Sequence, residues 1–408
     1  MVGNLATGPA ATHALRERAA ALGFDLVGFA SAAPFDTERE LLLESLAHRR
    51  LEGMGWINEE RIRLSCSPDE LLPGARTIIV LGSTYAPVAP VASSAPTAPH
   101  EPNATLLTDA IPLAPALRGR VARYAWGRDY HDVIPPRLRA LTAAIPAIVG
   151  AEVHSRWFVD TGPFVDRAGA ARGGIGFIGK NTCVLTGPHG SYVFLSAILT
   201  TADLPADPLV NRDCGSCRAC LDACPTQAFV GPRQLDATRC ISYLTIEHRG
   251  PIPHELRPLL GDWVFGCDIC QEVCPWNRAR RSVPHPEFAA TAGSGPALDL
   301  AAVLALDDDG FRAQFRGTAL TRAKRRGLAR NAAVALGNLG DRAAIPALVR
   351  ALTDPEPLVR GHAAWALGRL IPLPDAAVAD LRAALDQESD PDAAFDLRST
   401  LELAGYFP

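Results

Sequence analysis

Eight of the chain's ten cysteines lie between Cys214 and Cys274, in two linked runs. The first is C-x2-C-x2-C-x3-C-P, formed by Cys214, Cys217, Cys220, Cys224 and Pro225. The second is Cys240 followed by Cys267, Cys270 and Cys274, with Pro275 behind the last. That is the ligand count for two 4Fe-4S clusters, and the first run has the spacing of bacterial two-cluster ferredoxins. Three cysteines at i, i+3 and i+6 wrap one cubane face, while the fourth of each run reaches across to the other cluster. One cluster is therefore expected on Cys214, Cys217, Cys220 and Cys274, and the other on Cys224, Cys240, Cys267 and Cys270. Each proline turns the chain away, because it lacks an N–H and restricts the residue before it. Zinc sites use pairs of C-x2-C without a third cysteine at the same interval. A disulfide framework belongs to secreted chains, whereas Met1–Ala20 carries acidic and basic residues and no apolar core run. The implied chemistry is the movement of single electrons over a distance. Of the two other cysteines, Cys66 and Cys183, the second sits in an apolar segment and reads as a buried, inert thiol.

The formal charge of −4 is near neutral, so net charge alone predicts no nucleic-acid binding. Locally the balance differs. Residues 310–340 hold no acid but carry Arg312, Arg316, Arg322, Lys324, Arg325, Arg326 and Arg330. A charge run is ordinarily a solvated helix face. Beside a helical repeat, a one-signed patch also suits a polyanion, and a structured RNA with an exposed loop is the partner this favours. A second decorated segment, Gly173–Asn181 (G-G-I-G-F-I-G-K-N), contains a formal G-x-G-x-x-G and nearly matches a P-loop. Both motifs need a strand before and a helix after. The following T-C-V-L-T reads as strand, so nucleotide binding is rejected here, though the glycines would let a large ligand approach the backbone.

The elements that position these residues fall into three zones. Residues 1–205 read as α/β: a helix over Ala11–Leu22, strands over Thr77–Gly82, Trp157–Asp160 and Tyr192–Leu199, and a helix over Pro135–Val149. Within them, 86–115 is rich in Pro, Ala and Ser and is expected to be a mobile insertion. Residues 206–290 form the cluster domain, and 295–408 are Ala/Leu-rich helix. There R-N-A-A-V-A-L-G-N-L-G (Arg330–Gly340) recurs as R-G-H-A-A-W-A-L-G-R-L (Arg360–Leu370), the pattern of HEAT-like helix pairs, with an ordinary helical bundle as the alternative. No apolar run approaches membrane-spanning length, and clusters with unpaired thiols point to a reducing cytoplasm.

Together these segments resemble the epoxyqueuosine reductases, cobalamin-dependent enzymes that complete queuosine synthesis on tRNA. The resemblance spans nearly the whole chain. It rests on Arg123–His131 (R-Y-A-W-G-R-D-Y-H), Phe158–Pro163 (F-V-D-T-G-P) with Arg167, Gly174–Asn181, the cysteine array, Arg239–Glu247 (R-C-I-S-Y-L-T-I-E) and the HEAT-like tail. It implies an α/β N-terminal cobalamin-binding domain, a ferredoxin-like two-cluster 4Fe-4S domain and an all-α HEAT-like repeat C-terminal domain that binds tRNA. It implies that clusters fed by an external ferredoxin- or flavodoxin-type donor reduce a cobalamin, which acts on the epoxide. The family's proton donor corresponds to Asp160, whose pKa partial burial at a strand end would raise. A turn or cap before Gly162-Pro163 is the other reading of that residue. For cobalamin the resemblance points to Arg61, Tyr124, Arg167, Lys180, Ser242 and Tyr243, of which Lys180 and Arg167 read equally as surface ion pairs. Arg123 and Arg128 suit either cofactor or RNA. For tRNA the basic stretch offers Arg322, Lys324, Arg325, Arg326 and Arg330. The chain departs from the family in its long 86–115 insertion and in Cys183, where a larger apolar residue is usual. No obligate dimer interface is expected. The rival readings are a reductive dehalogenase acting on a small molecule and a plain two-cluster electron carrier.

Overall fold

The computed structural model describes residues 8–85, 117–278, 280–281 and 285–406. The expected 86–115 insertion lies outside the described residues. The chain forms two compact units, each assembled from separated segments: 1–88, 128–238 and 269–289 in one, 89–127, 239–268 and 290–408 in the other. This division cuts across the three consecutive zones read from composition, because strand pairing joins segments that are distant in sequence.

The first unit is built on a four-stranded sheet, in the spatial order Leu26–Ser31, Thr77–Thr84, Val193–Thr200, Ser155–Phe158. Every pairing is antiparallel, with Phe29 opposite Ile79, Ile79 opposite Ile198, and Trp157 opposite Ile198. Thr77–Thr84 is buried at every position. A strand covered on both faces reads as a continuous apolar run, which is why TIIVLG was legible. Over one face pack Phe35, Phe164, Ala168 and Ala170 against Ile78, Val80, Phe158 and Leu199. The 20-residue helix Tyr130–Val149 buries Tyr130, Val133, Ile134, Leu138, Leu141 and Ile145, a stripe at helical spacing. Its first turn is capped by Asp129, whose side chain accepts the His131 N–H at 3.0 Å. Gly150, at φ 70°, ends it in the left-handed conformation. The described helices include none long and apolar enough to cross a membrane.

The second unit joins a three-stranded sheet, Trp263–Phe265, Arg118–Val121 and Ala297–Asp299 in that spatial order, to the repeat helices. The four-residue strand Arg118–Val121 was not legible, since R-G-R-V carries too little apolar pattern to register. Helices Lys324–Leu339, Pro357–Gly368 and Pro391–Leu403 pack side by side through Leu328, Ala332, Leu336, Val359, Ala363, Leu367, Leu397 and Leu401. Small residues set their spacing. A Cβ on Gly337 would sit 2.9 Å from the Ala366 Cα, and one on Gly361 would sit 3.0 Å from the Ala393 Cα.

Candidate active site and cluster loops

Asp160 follows the strand Ser155–Phe158 by two residues, where the chain turns sharply. Its φ of 47° is left-handed, a conformation that aspartate tolerates better than most residues. The turn doubles back on the strand so closely that a Cβ on Gly162 would meet Phe158 Cδ1 at 2.7 Å. Phe158 and Phe164 stack at 5.5 Å and anchor its two ends. The aspartate is thus presented outward by a tightly packed loop.

The Tyr130 hydroxyl donates to Asp160 Oδ2 at 2.6 Å, and His131 Nε2 lies 3.6 Å from the same oxygen. His131 Nδ1 is 2.9 Å from Asp129 Oδ1. Asp129, Tyr130 and His131 all come from the R-Y-A-W-G-R-D-Y-H segment, so the first turn of one helix surrounds the carboxyl of a distant loop. The motif alone carries no role for these three residues; the polar triplet D-Y-H at a helix start is the signal that marks them.

The expected burial of Asp160 is not observed, for its side chain is 53% exposed. The strand stops before it, and the turn carries it outward. The shielded carboxyl is instead Asp166, which opens the helix Asp166–Arg172 and was missed in the sequence. Its Oδ1 is shut off from solvent with no hydrogen-bond partner. Burial, reinforced by the charge of Asp160, pushes Asp166 up to about 7.

Close packing within the protein accounts for three glycines of the glycine-rich segment. A Cβ on Gly173 would strike Val80, one on Gly174 would strike the Pro208 carbonyl, and one on Gly176 would sit 2.7 Å from the Leu185 carbonyl. The strands Phe177–Ile178 and Val184–Leu185 pair across the Lys180 turn. Lys180 Nζ donates to the carbonyls of Gly215 and Cys217 at 2.7 and 2.9 Å, and its backbone N–H points at Cys214 Sγ, 3.4 Å away. It therefore organises the first cysteine loop. Arg167 Nη1 donates to the Thr182 carbonyl at 2.9 Å. Protein carbonyls thus take two donors of Lys180 and one nitrogen of Arg167, the two cations expected at cobalamin. Arg61 is half-buried with Nη2 on the Thr161 carbonyl at 2.9 Å, Tyr124 is half-buried, and Tyr243 is 8% exposed on the short helix that also carries Ser242. Arg123 is buried and lies over the Trp126 ring, its backbone N–H donating to Asp268.

Cys214, Cys217, Cys220 and Cys274 come close enough for their charges to act on one another. Burial pushes the Cys220 thiol up to about 11, and the charges of Cys274, Cys214 and Cys217 add to this. Four thiolates cannot share such a loop without a cation, so this donor set fits an iron cluster. Among the described residues no three His, Cys, Asp or Glu side chains converge on a single metal ion. A cubane offers a separate iron to each cysteine, so its ligands need not converge. Backbone N–H groups also reach sulfur at both ends of the first run, Lys180 at Cys214 and Ala228 at Cys224, each at 3.4 Å. Such bonds tune a cluster's potential. Outside the runs, Cys66 is buried and pushed up to about 11 by burial, and Cys183 is half-buried rather than buried.

The basic stretch divides in two. Arg325 is buried and paired with Asp354 at 2.7 and 2.8 Å, and Arg330 is 1% exposed with its guanidinium on backbone carbonyls. Neither is available to RNA. Their partners lie outside the acid-free window that made the stretch look uniformly basic. Lys324 and Arg326 are exposed and Arg322 is half-buried.

The cysteine loops and the accessible carboxyl place the chain among the iron–sulfur oxidoreductases. A family model for a 4Fe-4S double cluster binding domain matches residues 213–277, one for epoxyqueuosine reductase QueG matches 66–161, and one for HEAT repeats matches 314–402. The epoxyqueuosine reductase of Pseudomonas aeruginosa is 41% identical over 352 residues, covering 85% of this chain and 91% of that protein. A crystal structure of epoxyqueuosine reductase with an epoxyqueuosine-modified tRNA-Tyr stem loop superposes with a TM-score of 0.84 at 33% identity, covering 97% of this chain and 98% of that one. The Bacillus subtilis enzyme, in a form whose catalytic aspartate loop is swung out of the active site, gives 0.83 at 32% identity, covering 96% and 98%. The chain belongs to the epoxyqueuosine reductase family and is an oxidoreductase with a double-cluster domain.

Proposed function

We propose that the protein reduces the epoxide of epoxyqueuosine in the tRNA anticodon loop to the cyclopentene of queuosine, with Asp160 as proton donor. The observation that carries this is the exposed Asp160 carboxyl, held by Tyr130 and flanked by His131, in a chain of this family. Converting an epoxide to an alkene takes up two electrons and two protons and releases the oxygen as water. Asp160 protonates the departing oxygen, Tyr130 fixes the carboxyl's orientation, and Asp129 orients His131 beside it. Exposure of Asp160 suits a large substrate, whose base must leave its stack to reach the site. That relatives include a complex with a modified tRNA stem loop, and a form defined by a catalytic aspartate loop, supports both assignments.

Cys214, Cys217, Cys220 and Cys274 would hold one cluster and Cys224, Cys240, Cys267 and Cys270 the other; when bound, these would supply electrons singly from an external ferredoxin- or flavodoxin-type donor. When bound, cobalamin would supply the strong reductant or nucleophile that links single-electron delivery to a two-electron reduction. Arg61, Tyr124, Arg167, Lys180, Ser242 and Tyr243 are the residues that would hold it. Lys324, Arg326 and Arg322 are the tail cations that would meet tRNA phosphates.

The test is a single-turnover reaction without oxygen, using full-length protein reconstituted with iron and cobalamin and supplied with electrons by excess low-potential chemical reductant. Mass analysis of the digested tRNA should show the modified nucleoside losing one oxygen. No loss with clusters and cobalamin fully loaded would contradict the proposal.

A further inference from the structure

Five polar residues of the repeat helices, Arg330, Asn331, Asn338, His362 and Asp396, turn toward one stretch of the same unit. Arg330 donates through Nη2 to the Leu244 carbonyl at 2.6 Å and through Nη1 to those of His248 and Gly250 at 3.0 and 2.7 Å. Its Nε and Nη2 also reach Asn331 Oδ1, at 3.1 and 2.9 Å. Asn331 Nδ2 donates to the carbonyls of Thr245 and Val264, at 2.7 and 2.8 Å. On the next repeat helix His362 Nε2 accepts the Ile252 N–H at 3.1 Å. On the third, Asp396 Oδ1 pairs with Arg257 at 2.8 Å, while Arg257 Nε holds the Ile252 carbonyl. Asn338 donates to the carbonyls of Arg257 and Gly261. Apart from the Arg330–Asn331 pair, the partner in each of these contacts lies within residues 244–264, in the connector from Cys240 to Cys267.

We propose that the repeat helices are a positioning scaffold for Cys240 and Cys267, with Arg330 and Asn331 as the residues that fix the backbone from which both cysteines project. Thr245 completes the linkage. Its hydroxyl donates to the Ile241 carbonyl at 2.7 Å and accepts the Gly266 N–H at 2.9 Å, so it touches the neighbours of both cysteines. Asn331 holds the carbonyl of that same Thr245. A fully buried arginine without a carboxylate partner is costly, and burial brings Arg330 down to about 9. Well-packed apolar residues would hold two segments together at less cost. What the polar pair adds is a fixed backbone geometry, which ligand placement around a cluster requires.

The inference rests on the reading of Cys240 and Cys267 as cluster ligands. The experiment compares Asn331→Ala, Thr245→Val, Asn338→Ala and Cys240→Ala, purified at full length without oxygen, by iron content and potentiometric EPR. Cys240→Ala identifies which signal belongs to the second cluster. Asn331→Ala and Thr245→Val are expected to shift or lose that signal, with iron per chain falling by up to about half, while the other cluster's signal stays in place. Asn338→Ala removes a staple from the same helix away from the cysteines, and is expected to keep both signals. Thr245→Val, nearly isosteric, carries the test if the Asn331 variant does not fold. Wild-type iron and signals in the Thr245 variant would overturn the proposal, as would an equal change in Asn338→Ala. Unchanged iron in Cys240→Ala would instead overturn the ligand reading beneath it.

Discussion

Asp160 and Asp166 lie six residues apart in the chain yet have opposite environments. Asp160 is out in solvent with a tyrosine hydroxyl on it, and Asp166 is shut in without a partner for Oδ1. Removing the Tyr130 hydroxyl with Tyr130→Phe leaves the acid in place but loosens its orientation. The reduction rate should fall about tenfold, the weight of one hydrogen bond of ordinary strength, with tRNA affinity unchanged. Asp166 makes a prediction about stability. Its folded-state pKa of about 7 lies above the ordinary 3.8, so below about pH 4 it costs nothing. As pH rises through 7 the unfolded chain ionises more readily than the folded one, and stability drops by at most about 4 kcal/mol. Asp166→Asn should therefore gain stability relative to wild type between about pH 4 and 7 and hold that gain at pH 8. Urea midpoints across this range decide it, and parallel curves for the two proteins would refute the assignment.

At the scale of elements, close backbone approach explains the glycines that looked like ligand motifs. In the repeat helices, Gly337→Ala would press a methyl against the Ala366 backbone, which cannot rotate away. The expected loss is about 1–3 kcal/mol from overpacking, offset by up to about 1 kcal/mol of helix propensity, and a thermal melt should show a net decrease. The basic helix makes a divided prediction. Lys324→Ala with Arg326→Ala should weaken tRNA binding and reduce the salt dependence by about two units of log–log slope, with the melting temperature unchanged. Arg325→Ala, which strands Asp354, should lower the melting temperature first. If the exposed pair leaves tRNA affinity and its salt slope unchanged, the tail's cations do not hold the RNA.

For the molecule as a whole, what could be read in the sequence was whatever depends on local spacing. The cysteine runs, the buried strand Thr77–Thr84, the stripe on Tyr130–Val149 and the repeat of small residues all carry their own periodicity. What depends on distant partners was hidden. Lys180 belongs to the Gly215 loop, Arg325 to Asp354, and Arg330 to the connector at 244–250, and no window around any of them contains the partner. The motif marks Asp160 as a candidate but not its exposure, because a strand that ends two residues early changes which way a side chain faces. The interleaved division of the chain was hidden for the same reason, since it depends on pairing by short strands such as Arg118–Val121.

The central claim is that this family member uses Asp160 to protonate the epoxide oxygen. The most direct measurement is single-turnover conversion of epoxyqueuosine in tRNA by wild type and Asp160→Asn, matched for iron and cobalamin content and for tRNA affinity. The account predicts conversion by wild type and a loss of about 100-fold or more in the variant, with binding intact. Equal rates in the two proteins would contradict it.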